Sequence, residues 1–248
     1  MQVVFCPNTG PMTGLLDNLP CPAKLSVSDK PGRKYRYAFP HTVAVAPALH
    51  RHTLEWVQPQ PDSPTWVGVH SARANHYVTA MLNRGLLQPL LGVSRGHSTR
   101  REVPYGTRSR VDFVLEGGDC SMYVEVKSVT MTQHGVAVFP DTVSTRAQQH
   151  ARELTALLTA STQGNKRRRL EVGEEGTTGK GTKRAAMLFV VQRDDAEAFA
   201  PCRVKDPEYA ALCVAAKAAG VQLVAVAIRL DEHGAVRFVG ELPVVDPL

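Results

Sequence analysis

Asp112, Glu125 and Lys127 are the residues whose types and spacing point most directly to chemistry. They sit in two short strings, Arg110-Val111-Asp112-Phe113 and Tyr123-Val124-Glu125-Val126-Lys127. Side chains alternate along a strand, so Glu125 and Lys127 share a face. If the two strings pair as a hairpin, Asp112 lies beside Glu125. Two carboxylates so arranged suit Mg²⁺, a hard ion that takes oxygen ligands and keeps several waters. The Val126 carbonyl offers one more oxygen. Lys127 would orient or deprotonate an attacking water, or offset charge on a phosphate. That is the chemistry of phosphodiester hydrolysis. Taken alone, Glu-x-Lys is common and reads equally as a solvated strand face with a weak ion pair.

The elements that must position these residues follow from pattern. Residues 110–115 and 122–127 read as strands, with Gly117-Gly118-Asp119 as the hairpin connection. Residues 144–160 read as a helix with Ala147, Ala151, Leu154 and Leu158 on one face. Arg146 and His150 lie four apart on it and share a face. They either line a phosphate groove at the sheet edge or are exposed polar positions. The run at 186–192 suits a strand covered on both faces. Residues 206–219 form a helix capped by Asp206, with Pro207 first and Gly220 after its end. Residues 221–228 are another apolar strand. From residue 100 onward this order predicts a mixed α/β sheet flanked by helices.

Upstream, 66–69 reads as a strand, and 72–84 as a helix with Tyr77, Val78, Met81 and Leu82 on one face. Residues 1–65 are short β-prone runs broken by turns, including one at 41–45, and suggest a small β-domain. Pro59, Pro61 and Pro64 mark a linker, so the expected division is 1–65 and 66–248. The polar, Gly-rich stretch 161–184 is expected to be a disordered insertion.

Bulk properties limit the function classes. The 248 residues are 43% hydrophobic and 21% charged, ordinary for a soluble globular protein. No run reaches the length of a membrane span, and the N-terminus does not read as a secretory signal. Five widely spaced cysteines argue against a zinc site or disulfide framework and for a reducing, intracellular compartment, with nucleus or nucleoid as candidate locations. The net charge is +6, but seven basic and three acidic residues fall in 161–184, leaving 22 basic against 20 acidic elsewhere. Local patches must therefore carry any nucleic-acid argument. Arg100, Arg101, Arg108 and Arg110, with Tyr105 among them, form one such patch, suited to phosphates or to a solvated loop. Arg33 and Lys34, with Tyr35, Arg36 and Tyr37, form a second that would stack bases or guard a strand edge. Lys166-Arg167-Arg168-Arg169 reads as a localisation signal or an extra DNA contact, a pattern with many false positives.

The Asp-bearing strand, the Glu-x-Lys strand, the helix after them and the basic surroundings resemble the PD-(D/E)xK nuclease core. Longer strings go further. CPNTG at 6–10, MTG at 12–14, RKY at 33–35, YGTRSRVDF at 105–113, YVEVKSVT at 123–130 and FPDTVSTRAQQHARELT at 139–155 resemble the sugar fermentation stimulation protein family. LFVVQR at 188–193 and DPEYAAL at 206–212 extend the match. The resemblance implies an N-terminal OB-like barrel, a C-terminal PD-(D/E)xK-like domain and sequence-tolerant binding of single- or double-stranded DNA. Two departures stand out. The family pattern starts one strand before CPNTG, so either the true start lies upstream or the barrel lacks its first strand. The helix at 72–84 carries His76 and Ala80 where the family carries Arg and Glu, which leaves Glu102 or Asp141 as substitute acids. Three readings follow: a DNA-binding protein with little turnover, a Mg²⁺-dependent nuclease using Asp112, Glu125 and Lys127, or a regulatory factor acting through protein contacts.

Overall fold

The computed structural model describes residues 4–8, 10–17, 20–27, 52–60, 62–106, 109–171, 181–231 and 234–247. Along them run β1 (Ala23–Val27), β2 (His52–Val57), β3 (Val67–Gly68), α1 (Arg73–Asn83), α2 (Gln88–Leu91), β4 (Ser98–Tyr105), β5 (Ser109–Gly117) and β6 (Cys120–Val129). Then follow β7 (Met131–Gln133), β8 (Val136–Phe139), α3 (Thr145–Glu171), β9 (Thr182–Val191), β10 (Ala198–Pro201), α4 (Pro207–Ala218), β11 (Gln222–Leu230) and β12 (Val236–Leu242).

The apolar run of β9 decides the architecture. Every residue from Ala185 to Val191 is fully buried. Its odd positions pack with Ala147, Ala151 and Leu154 of α3 and with Tyr209 and Cys213 of α4. Its even positions pack with Ala74, Val78 and Met81 of α1 and with Leu91 of α2. Each such aliphatic or aromatic side chain contributes ~1.5–3 kcal/mol. β9 is thus an inner strand of a six-stranded sheet ordered β12-β11-β9-β6-β5-β4. It runs parallel to β6 and β11, while the outer pairs are antiparallel. Two crossovers made in the same direction, through α3 and then α4, keep both helices on one face. The mixed sheet flanked by helices is the architecture expected from pattern.

One carboxylate sets the helices on that face. Asp206 caps α4 by accepting from Tyr209 N at 2.9 Å. It also accepts from Ser144 N at 2.9 Å and from Gln148 Nε2 at 2.9 Å, fixing the start of α3. Its four-way engagement explains how a charge only 1% exposed is tolerated.

Several elements depart from expectation. α3 continues to Glu171 and β9 starts at Thr182, so the disordered stretch expected at 161–184 is corrected at both ends. Lys and Arg are good helix formers, and adding residues to an existing helix is far easier than starting one. β4, which carries Glu102, is an edge strand with five exposed residues in a row and shows no alternation. β3 pairs with β2 and not with the large sheet. A third small sheet joins β7, β8 and β10. Of the expected N-terminal barrel, β1, β2 and β3 form an antiparallel sheet, and the strand expected at 41–45 lies outside the described residues. Among the described residues no helix is long and apolar enough to cross a membrane.

Glu55 of β2 ties this small sheet to α1. It accepts from Ser26 Oγ at 2.7 Å, meets His70 Nδ1 at 3.0 Å, and takes two bonds from Arg73, at 3.0 and 3.2 Å. Burial raises its pKa, but the bonds from His70, Arg73 and Ser26 outweigh that and hold it at about 2. A carboxyl depressed in the folded state adds stability that is complete above its ordinary pKa and is lost as pH falls toward the folded value. The Glu55→Gln protein should therefore be less stable at neutral pH, and should lose less stability than the parent between pH 4.5 and 2. Urea denaturation across that range measures both.

Candidate metal and nucleic-acid site

The site lies where β5 and β6 part. Their ladder ends at the Phe113–Val124 pair. One residue on, the Asp112 side chain replaces the missing strand partner, and its Oδ2 accepts from Val126 N at 2.8 Å. Its Oδ1 accepts from Asn75 Nδ2 of α1, also at 2.8 Å. Asp112 is thus held by strand and helix at once.

Alternation along β6 sends Met122, Val124 and Val126 into the core under α1. Tyr123, Glu125 and Lys127 therefore face α3. Glu125 is 2% exposed and Lys127 8%. Lys127 Nζ donates to Glu125 Oε1 at 2.7 Å. α3 brings down His150, itself buried, whose Nδ1 meets Glu125 Oε1 and lies 3.1 Å from Lys127 Nζ.

The two carboxyls are pushed in opposite directions. Burial pushes Glu125 up, but the Lys127 charge and the His150 contact outweigh it and hold it below the usual range. Asp112 is raised by burial and then by the charge of Glu125, with the Val126 N–H, Asn75 and Lys127 opposing. Glu125 is the more acidic of the pair, and two negative charges side by side are costly. A divalent cation removes that cost. The residues fit one. Among the described residues Glu125 Oε2 is buried without a hydrogen-bond partner. A buried carboxylate oxygen calls for a donor or a cation. Among the same residues no three His, Cys, Asp or Glu side chains cluster with ligand geometry. Two carboxylates suit Mg²⁺ or Ca²⁺, which complete their shells with water, better than the four-ligand closure of structural zinc.

Asp112, Glu125, Lys127 and His150 thus come together. Arg146 shares the helix face of His150 but lies one turn earlier and is exposed. Arg100, Arg101 and Arg110 are exposed along the sheet edge formed by β4 and β5. Arg100 pairs with Glu116 at 2.6 Å, Arg101 lies 5.3 Å over the Phe113 ring, and Arg110 donates to the Glu102 carbonyl at 3.1 Å. Arg33, Lys34 and Arg108 lie outside the described residues.

The substitute acids do not join the site. Glu102 is exposed on a backbone turned to φ 51°, where β4 skips a pairing with β5. Asp141 supports the N-terminal loop instead. A Cβ at Gly10 would fall 2.7 Å from its Oδ2, so only glycine lets that loop lie on the carboxyl. Ala80 is exposed, and Asn75 is the α1 residue that reaches Asp112. Sequence reasoning missed Asn75, whose reach to Asp112 depends on how α1 docks on the sheet.

Comparison with known proteins agrees with this architecture. The family model described as "Sugar fermentation stimulation protein RE domain" matches residues 72–165 and 176–234. A sugar fermentation stimulation protein homolog of Synechococcus elongatus is 39% identical over 240 residues, covering 96% of this chain and 83% of that one. A homolog of Geotalea daltonii is 34% identical over 241 residues, covering 97% and 85%. The chain belongs to the sugar fermentation stimulation protein family. Among solved structures, that of Pyrococcus furiosus SfsA in complex with Ca²⁺ matches with a TM-score of 0.63 at 25% identity, over 82% of this chain and 76% of that one. The stretch matched by the family model contains Asn75, Tyr105, Asp112, Glu125, Lys127, His150 and Glu153.

The buried pair gives this family member a testable weakness. Removing one partner of a buried ion pair strands the other charge, at about 3–5 kcal/mol. Lys127→Met should destabilise by that order, and adding Glu125→Gln should restore much of the loss. Urea denaturation of both variants checks it.

Proposed function

We propose that this chain binds DNA with little sequence preference, on a nuclease-like scaffold whose Asp112 and Glu125 hold a divalent cation beside the bound strand. One observation carries the reading: the unpartnered buried oxygen of Glu125 lies in a carboxylate pair on the strands that lead to an arginine-bearing sheet edge. The Ca²⁺ complex of the Pyrococcus furiosus relative supports the cation. Arg101, Arg110 and Arg146 offer phosphate contacts, which give affinity without sequence information. A cation between the carboxylates would offset phosphate charge and polarise a phosphodiester. Lys127 keeps Glu125 ionised and ready to hold it.

Hydrolysis is the second reading. The observation favouring it is the Lys127 ammonium, 2.7 Å from Glu125 Oε1, beside the two carboxylates. Asn75, a neutral amide, would set the orientation of Asp112.

Two measurements test these readings. DNA affinity should fall steeply with added salt, and Arg101→Ala or Arg110→Ala should each reduce the salt slope by about 1. Arg100→Ala should reduce it less, since Glu116 already neutralises Arg100. Affinity flat across salt would overturn the phosphate model and favour a protein partner. Incubation of labelled DNA and RNA with Mg²⁺ or Mn²⁺ separates binding from turnover. Cleavage lost in Asp112→Ala makes the chain an enzyme, whereas binding without cleavage leaves the scaffold to binding.

A further inference from the structure

Three buried oxygens belong to residues that come near one another where the sheet meets α3. Among the described residues Tyr105 Oη, Glu125 Oε2 and Glu153 Oε2 have no hydrogen-bond partner. Their residues are 7%, 2% and 8% exposed. They come from β4, β6 and α3. β6 offers Tyr123 and Glu125 in a row to α3, and His150 touches Glu125. Glu153 follows His150 by three residues and so lies on the same helix face. Gly106, beside Tyr105, comes so close that a Cβ there would fall 2.9 Å from the Glu153 Cδ. The Tyr105 ring centroid is 6.5 Å from that of Tyr123, one step along the row from Glu125. Burial and the charges of Glu125, Glu153 and Asp112 all push the Tyr105 phenol up.

An unsatisfied buried polar group is costly. Glu153 has met that need at its other oxygen, where Gln149 Nε2 donates at 2.7 Å. The two carboxylate oxygens left open are acceptors in want of a donor. Water attached to a hard cation is a donor of that kind, since its own lone pair faces the ion. The described residues do not gather three ligating side chains, so Glu153 does not complete an inner shell with Asp112 and Glu125.

We infer that Glu153 and Tyr105 form an outer cradle that binds the waters of a divalent cation held by Asp112 and Glu125. This rests on the cation reading above. Glu153 is a positioning residue here, acting through water. A role in packing would make Glu153→Gln less stable without metal. A water cradle predicts the reverse, since the amide removes a buried acceptor oxygen that has no donor.

The test uses the whole chain with Mn²⁺ and Ca²⁺ alone, by titration calorimetry and by thermal unfolding with and without metal. Outer-shell partners typically change metal affinity by roughly 10- to 100-fold. Glu153→Gln should weaken Mn²⁺ binding within that range, with metal-free Tm unchanged or higher and a smaller metal-induced rise in Tm. Tyr105→Phe should weaken binding by a smaller factor. If the parent binds either ion and Glu153→Gln binds it equally well, the cradle is overturned and the cation reading stands. A lower metal-free Tm with unchanged affinity overturns it in favour of packing. If Glu153→Gln does not fold, Tyr105→Phe decides: weaker binding supports the cradle and equal binding overturns it. A parent that binds neither ion overturns both the cradle and the reading beneath it.

Discussion

Glu125 and Lys127 are two residues apart on an inner strand, and alternation obliges both to face α3. Neither charge can reach solvent there, so the helix above must answer them. It does so with His150, on a face it shares with Ala147, Ala151, Leu154, Leu158 and the buried Glu153. An apolar replacement of the whole group would pack as well and often be more stable. Stability therefore does not explain why the charges are inside. What they provide is a carboxylate held ionised by a nearby ammonium, with one oxygen left over.

The buried carboxylates of this fold divide on that last point. Asp206 spends both oxygens on Ser144, Gln148 and Tyr209. Glu55 spends both on Ser26, His70 and Arg73. Those two are structural fastenings between elements. Asp112 is a fastening to Val126 and Asn75, but it bears the unfavourable charge of its neighbour. Glu125 and Glu153 each keep a buried oxygen open. Gln88, Gln192 and Gln222 also keep a buried oxygen open, but those are neutral amides, whereas a carboxylate oxygen left open is the costlier case.

The legible parts were those fixed by local rules. The Asp206 cap, the buried run of β9 and the convergence of Asp112 with Glu125 across a Gly118 turn needed period and turn chemistry only. What escaped depends on phase and on distant partners. Ala80 and Asn75 are five residues apart, about 140° around a helix, so both cannot face one carboxylate. Which of them does so is decided by how α1 docks on the sheet. Tyr105 and Glu153 are far apart in sequence, and Gly106 brings them together through backbone approach. β4 was placed only as the strand leading to Asp112, and its extent was not legible, because an edge strand with both faces wet has no reason to alternate. The long α3 was hidden by composition: charged and small residues read as linker until an established helix extends through them.

Arginines on β4 also have a simpler explanation, since charged side chains guard sheet edges against pairing with other chains. The opposite edge is a control within the same molecule. On β12, Arg237 is neutralised by Asp231 at 2.5 Å, and Glu241 follows on the same strand. Edge protection works there with balanced charge. On the β4 side Arg100 is balanced by Glu116, but Arg101 lies on an aromatic ring and Arg110 on a backbone carbonyl. Both of those contacts orient a guanidinium without cancelling its charge. Protection needs charge of either sign, whereas a polyanion needs net positive charge, and the edge next to Asp112 carries Arg100, Arg101 and Arg110 against Glu102 and Glu116.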